Sequence, residues 1–333
     1  CEALELSVLE VAERVHVAEA FGDRAHGIES LARNPARAGA TVPCPRGLLG
    51  SPAAMLTYRF DVEYEGTRYR GWQEQTNART VAGELRRAAA EALGAEVELG
   101  GAGRTDAGVH ALAQVAHLRC RSRRGEPLAP GALRAAVNDR LPPDINLLSV
   151  ATASPRFHAR HDALMRSYLY QIARRRTAFA KRTVWWVRAP LDVARMRRAA
   201  AAIPGRHDFA SFCEKPERQE STLVVVEAAE VAEAGELVLV RLVASHFLWK
   251  MVRRLVGTLV QVGTGAEPEE LIAARLAGEP AAARFDAARF TAPPSGLFLE
   301  RVLYPGEAPL GALAPATPLS PLAPPRSPRP EAP

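Results

Sequence analysis

The stretch from Gly100 to Ala111, Gly-Gly-Ala-Gly-Arg-Thr-Asp-Ala-Gly-Val-His-Ala, sets one carboxylate, Asp106, among small residues and two positions from the guanidinium of Arg104. Glycine and alanine leave little side-chain bulk around that acid, so a ligand can approach Asp106 and Arg104 together. Loops of this composition are suited to contact rather than to packing. A carboxylate presented in this way can attack an electrophilic carbon or stabilise a nearby positive charge. Three readings compete for the loop. A dinucleotide fingerprint, Gly-x-Gly-x-x-Gly, begins correctly at Gly101 and Gly103, but Asp106 stands in place of the third glycine and its charge would repel a pyrophosphate. A Walker-type phosphate loop needs Gly-Lys-Ser/Thr, and no lysine is present. The third reading is a structural turn with Asp106 as a cap. The flanking Arg-Thr and Val-His-Ala favour a ligand-facing acid over that turn.

The elements that must position this loop follow from periodicity. Leu56 to Tyr64 alternates apolar and polar residues without a fault, which predicts a half-buried strand. Thr80 is placed to cap a helix with Val81, Leu85, Ala88, Ala89 and Ala92 on one face. A short strand near Glu96–Leu99 leads into the Asp106 loop, and Val109–Leu118 reads as the strand that leaves it. Pro130–Leu141 reads as a helix stopped by Pro142-Pro143, and Ile145–Ala151 as a strand. The order is βαββαβ, the split ferredoxin-like unit. The second half repeats it: a strand at Arg166–Ala173, a helix from Asp192 ended by Pro204-Gly205, a hairpin of Thr222–Val231 and Glu236–Val243 across Ala234-Gly235, helices at Leu248–Val262 and Pro268–Ala277, and a closing strand at Leu297–Leu303. Two such units side by side leave a cleft between them. A basic cleft over open sheet faces suits RNA better than duplex DNA, whose major groove usually receives a helix.

Composition agrees with a polyanionic partner. The net charge is +6, nearly all the bases are arginine, and they concentrate between the two ends of the chain. Arg119, Arg121, Arg123 and Arg124 form one cluster, and Arg174, Arg175, Arg176, Lys181 and Arg182 another. Arginine forks match phosphate oxygens. No window reaches the roughly 18 unbroken apolar residues of a membrane span, and the first residues lack the basic start of a signal peptide. The four cysteines, Cys1, Cys44, Cys120 and Cys213, are far apart, and no Cys-x-x-Cys or His-x-x-x-His pair with a nearby acid suggests a metal. Reduced thiols and a cytoplasmic location are the expectation. Residues 1–54 differ in character from the rest, and the first methionine, Met55, directly precedes a clean strand. They read as a non-native or disordered extension. Residues 306–333, rich in proline and alanine, read as a disordered tail.

Four blocks in order carry a resemblance. They are Tyr64-Glu65-Gly66-Thr67-x-Tyr69-x-Gly71-Trp72-Gln73, Gly103-Arg104-Thr105-Asp106-Ala107-Gly108-Val109-His110-Ala111, Phe157-His158-Ala159-Arg160, and Phe247-x-x-x-Met251-Val252-Arg253-x-x-Val256-Gly257. Together they resemble the tRNA pseudouridine synthase A (TruA) family over the span from about Met55 to about Tyr304. The resemblance implies an isomerase that converts uridine to pseudouridine in the anticodon stem-loop of tRNA, with an aspartate nucleophile, no cofactor and no metal. It implies a homodimer. It also implies an α+β fold in which two ferredoxin-like, RRM-like halves, residues 55–160 and 161–305, form one continuous, mainly antiparallel sheet with helices on one face and a basic active-site cleft between the halves. Asp106 then falls at the nucleophile, Tyr168 at the tyrosine that packs on the target uracil, Arg104 at the arginine that helps take the base out of its stack, and Arg253 at the arginine that pairs with the catalytic acid.

The chemistry is compatible with these residues. The uracil N1–C1′ bond breaks, the ring turns and C5 joins C1′, with no redox step. A covalent route through a carboxylate divides one hard step into two, and a guanidinium beside a carboxylate favours its charged form. Whether the acid attacks C1′ or C6 is open. A base inside a stem must be extruded, which calls for a cation on the phosphates and an aromatic face for the base. Plainer readings stand beside these. Tyr168 lies in an apolar strand, Arg253 and Arg254 could form a solvated helix face, Tyr69 and Trp72 read as structural, in the core or lining the cleft, Trp185-Trp186 reads as core, and His110 and His158 as hydrogen-bonded structural residues. Leu248-Trp249-Lys250 and Ala163-Leu164-Met165 depart from the family pattern and bear on substrate preference. A non-catalytic RNA-binding protein on the same fold could dispense with Asp106. A glycoside hydrolase would need two paired carboxylates, and the loop holds one.

Overall fold

The computed structural model describes residues 55–121 and 128–319. The expectations for residues 1–54, for Arg123 and Arg124, and for residues 320–333 lie outside them. The described chain runs β1 (Met55–Tyr64), α1 (Val81–Leu93), β2 (Val97–Gly101), β3 (His110–Arg121), α2 (Pro130–Asn138), β4 (Ile145–Thr152), β5 (Met165–Ala173), β6 (Trp185–Trp186), α3 (Val193–Ala200), β7 (Gly205–Asp208), β8 (Leu223–Ala234), β9 (Leu237–Ala244), α4 (Met251–Gly263), α5 (Leu271–Leu276) and β10 (Leu297–Leu303). The ten strands form one sheet in the order β4-β1-β3-β10-β5-β9-β8-β7, with β2 on β3 and β6 on β5.

Each half is the same four-strand unit. In the first, β4, β1, β3 and β2 pair antiparallel in that order; in the second, β10, β5, β9 and β8 repeat it. The halves join where β10 pairs parallel with β3, at Phe298 with His110 and Leu299 with Ala111. That seam begins where the Asp106 loop ends. The upper part of β3 pairs with β2 and its first residues pair with β10, so the β2–β3 loop sits over the junction.

Alternation in β1 works as the sequence predicts. Tyr58, Phe60, Val62 and Tyr64 are buried, and Arg59, Asp61 and Glu63 turn to the other face. The buried row packs with Val81 and Leu85 of α1, Leu133 and Val137 of α2, Met196 of α3 and Leu255 and Leu259 of α4 in a single apolar cluster, so these helices share one face of the sheet. Thr80 accepts a hydrogen bond from the Gly83 N–H at 3.3 Å, and Gly94 closes α1 in the left-handed region at φ +60°. The helix at Pro130 stops at Asn138, earlier than expected, because the Asn138 amide exchanges two hydrogen bonds with the Leu147 backbone, at 3.1 and 2.8 Å, and ties the helix end to β4. The short edge strands β6 and β7 were not anticipated. Trp185 is partly buried, but Trp186 is exposed rather than core.

The expectation of a disordered tail from Gly306 is corrected over residues 306–319. The second half carries an apolar patch on the face without helices, formed by Leu169, Leu237, Leu239 and Phe298, and Leu313, Ala316 and Leu319 pack over it. Thr317 exchanges hydrogen bonds with Gln171 at 2.9 and 3.2 Å, and Arg241 donates to the Gly311 carbonyl at 2.9 Å. A proline-rich strip has no periodicity to announce such docking. Among the described residues no helix is long and apolar enough to cross a membrane.

Candidate active site

The loop that carries Asp106 is held mainly by backbone. Ala102 N–H donates to Val115 O at 2.8 Å, Trp72 N–H to Thr105 O at 3.1 Å, Gly108 N–H to Tyr69 O at 3.2 Å and Val109 N–H to Asp106 O at 3.1 Å. The Gln114 amide adds a bond to Gly103 O at 2.9 Å. Gly71 permits a close approach: it sits at φ +94°, and a Cβ there would lie 2.5 Å from the Thr105 carbonyl oxygen. Thr105 points inward, its hydroxyl 2.8 Å from the Tyr64 hydroxyl in the core. With Thr105 turned in, its neighbours turn outward. Arg104 is exposed, and the Asp106 side chain keeps 25% of its surface open.

The second half supplies the partners. Arg253, on the first turn of α4, reaches across the junction so that its Nη1 lies 3.3 Å from Asp106 Oδ2. Its own geometry is fixed twice by Ala292, which donates its N–H to Arg253 O at 3.0 Å and accepts from Arg253 Nε at 2.7 Å. The next residue, Arg254, is buried and bound to the Cys213 carbonyl and the Glu214 carboxylate, so the two arginines do not form a solvated face. Tyr168, on β5, is buried, and its hydroxyl lies beneath the loop, 4.0 Å from where a Cβ on Gly103 would stand. Phe247 meets the Tyr168 ring edge-on at 5.0 Å and sets its plane. Burial, with the nearby Tyr64 and Asp106, pushes the Tyr168 phenol well above its ordinary value, so it stays neutral at physiological pH. It offers a ring face and an O–H rather than a base.

Asp106, Arg253 and Tyr168 are thus brought together. Arg104 stands on the same loop with its guanidinium in solvent and, among the described residues, without an ion pair or side-chain hydrogen bond. His110 is structural, as expected: its Nδ1 accepts from Gly66 N–H at 3.0 Å, its Nε2 lies 2.8 Å from the Arg182 carbonyl, and burial lowers its pKa. His158 likewise accepts backbone N–H groups from Arg160 and His161. Tyr69 and Trp72 are buried, and Trp72 backs the loop against Gly101.

Arg166 was not anticipated. Its buried guanidinium donates to four carbonyls, those of Ala163 at 3.1 Å, Ser245 at 2.8 Å, Ala102 at 3.1 Å and Arg160 at 2.6 Å. It fastens the start of the Asp106 loop to the second half. The signal was present: Arg166 precedes Tyr168 by two residues, so it shares the buried face of β5, where a charged residue needs a dedicated set of partners.

A family model described as tRNA pseudouridine synthase matches residues 62–162 and 199–305. The chain is 41% identical over 250 residues to a tRNA pseudouridine synthase A of Methylococcus capsulatus, covering 74% of this chain and 89% of that protein. It is 40% identical over 257 residues to one of Maricaulis maris, covering 76% and 100%. It is 41% identical over 252 residues to one of Syntrophotalea carbinolica, covering 75% and 97%.

Proposed function

Because this chain belongs to the tRNA pseudouridine synthase family and is an isomerase that turns uridine of tRNA into pseudouridine, we propose that Asp106 is its nucleophile, that Tyr168 and Arg253 complete the site and that Arg104 grips the RNA. The observation that carries this reading is the meeting of an open carboxylate from one half with Arg253 of the other, 3.3 Å away, above a buried tyrosine.

In the reaction the N1–C1′ bond of the target uridine breaks, the uracil turns, and a C5–C1′ bond forms. The C5 proton leaves and N1 gains one, so the atoms balance without a co-reactant. Asp106 attacks the nucleoside to open the first bond and is released when the second closes. Arg253 holds a fixed positive charge beside that carboxylate in both states and needs no reorganisation, because Ala292 already positions it. Tyr168 gives the extruded uracil an aromatic face at the floor of the site. Arg104, free in solvent on the adjoining residue pair, meets the phosphates around the displaced nucleotide.

The substrate segment in this reading is the anticodon stem-loop, the enzyme a cytoplasmic homodimer that needs no cofactor, and the two halves span residues 55–160 and 161–305; all of these rest on the family resemblance of the sequence blocks. The test is Asp106→Asn, assayed by tritium release from a tRNA transcript carrying 5-tritiated uridine and by filter binding. Turnover is expected to vanish while tRNA binding persists. Appreciable tritium release by the variant refutes the nucleophile assignment, and a protein that binds but never releases tritium even as wild type would instead be a non-catalytic RNA binder.

A further inference from the structure

The segment from Phe247 to Arg253 touches the site at both ends. Phe247 packs on Tyr168, and Arg253 meets Asp106. Between them Trp249 turns outward and is 42% exposed. Two ammonium groups stand over its ring, Lys250 Nζ at 5.5 Å and Lys215 Nζ at 5.6 Å from the centroid. Both lysines have left-handed backbones, Lys215 at φ 51° and Lys250 at φ 61°, a conformation that costs energy in a residue with a Cβ. The surroundings hold this arrangement in place. Glu214 N–H donates to Trp249 O at 2.9 Å, and the Glu214 carboxylate is 3.4 Å from Lys250 Nζ and also pairs with Arg254. A large aromatic ring is therefore left partly in solvent with two cations beside it, four residues before the arginine that pairs with Asp106.

Apolar burial does not explain an exposed tryptophan held in this way, and a nucleotide fits it. A base stacks on the indole, and the ammonium groups meet the phosphates on either side. We propose that Trp249, with Lys215 and Lys250, is a second base-binding platform, which takes a nucleotide of the tRNA substrate next to the target uridine. This deepens the functional reading above and rests on it: Tyr168 receives the uracil that reacts, and Trp249 holds its neighbour.

The test uses Trp249→Ala, Trp249→Phe and Lys215→Ala in the full chain, with steady-state pseudouridine formation on a tRNA transcript over a salt series. Loss of one base stack corresponds to a rise in KM of about tenfold or more for Trp249→Ala, with kcat within about twofold of wild type, because the contact is made equally in the ground and transition states. Trp249→Phe, which keeps a ring face, is expected to return KM to within about threefold. Lys215→Ala should reduce the slope of log KM against log salt by up to about one unit. An unchanged KM for Trp249→Ala, a phenylalanine variant as poor as alanine, or a loss confined to kcat would each overturn the platform. These outcomes are read in an enzyme that turns over, so they are independent of whether Asp106 is the group that attacks, which the Asp106→Asn variant decides separately.

Discussion

Replacing Arg166 by methionine keeps the unbranched apolar stem of the side chain and removes all four of its hydrogen bonds, to Ala163, Ser245, Ala102 and Arg160. Bonds from a charged donor contribute about 1.5–3 kcal/mol each, so simple addition gives roughly 6–12 kcal/mol. That sum is an upper bound, because Arg160 is exposed and Ser245 half-buried, and water can replace the guanidinium at those carbonyls. Ala102 is 2% exposed, and its carbonyl would be left bare. A loss of about 3–5 kcal/mol in unfolding free energy is the expected result, measured by urea denaturation with the m-value checked for constancy. Activity should fall further than stability alone requires. Ala102 opens the loop that ends in Asp106, and a displacement of about 1 Å at a reacting group costs on the order of a hundredfold in rate. Under conditions where the variant is still folded, kcat for pseudouridine formation should drop about ten- to a hundredfold. Arg166→Lys should recover part of the stability and little of the rate, since one ammonium cannot address four carbonyls arranged around a planar fork. A methionine variant with the wild-type denaturation midpoint and the wild-type kcat would refute the clamp.

Three further outcomes follow from the same geometry. Arg253→Met, which leaves Asp106 without its cation, should lower kcat about a hundredfold or more with a smaller change in tRNA affinity, and single-turnover rates at saturating enzyme would read this directly. Gly257→Ala should destabilise the fold by about 1–3 kcal/mol and reduce kcat as well, because a Cβ there collides with the Phe290 carbonyl and pushes α4 away from Ala292, the residue that orients Arg253; thermal unfolding and turnover of the one variant test both. His117 is buried, and its pKa is pushed down to about 4 by burial, with the charges of His158 and Arg119 acting the same way and Glu98 and Asp162 opposing them. The fold therefore favours neutral His117, and its contribution is fully present above the unfolded value of about 6.5 and is lost as pH falls from there toward 4. Between pH 7 and pH 4 the wild type should lose about 3 kcal/mol more stability than His117→Gln, and parallel pH curves for the two proteins would contradict this.

Much of the fold was legible because its signals are local. Thr80 and Asp192 cap their helices as their positions suggest, Gly235 turns the β8–β9 hairpin at φ +59°, and the period-two pattern of Tyr58, Phe60, Val62 and Tyr64 chooses the buried face of β1. The loop of Asp106 was legible for the opposite reason, since its residues serve no packing pattern. What was not legible depends on partners distant in sequence. Trp185-Trp186 reads as core from its chemistry alone, yet β6 lies at the margin of β5 and leaves Trp186 outside. Gly306–Leu319 has the composition of a free tail, but its neighbours are apolar residues of β5, β9 and β10 that no helix covers. Arg166 could be flagged by its place on a buried strand face, whereas its acceptors, spread from Ala102 to Ser245, belong only to the folded chain.

The seam between the halves explains why the site is built with so many side-chain ties. The sheet is continuous there through only two register pairs, Phe298 with His110 and Leu299 with Ala111. A parallel ladder that short fixes the relative height of the two units but resists rotation about the strand axis poorly. Such a rotation would swing Arg253 and Tyr168 past Asp106. Contacts beside the ladder oppose it. His110 stacks on Phe298 at 4.8 Å and approaches the Arg182 and Ser295 carbonyls, Pro294 lies against Gly108, and Arg166 takes hold of Ala102. Each of these residues lies within a few positions of Asp106 or holds one that does. The stability of the junction and the alignment of the reacting groups therefore depend on the same bonds, and a change that loosens the seam should show in kcat before it shows in unfolding.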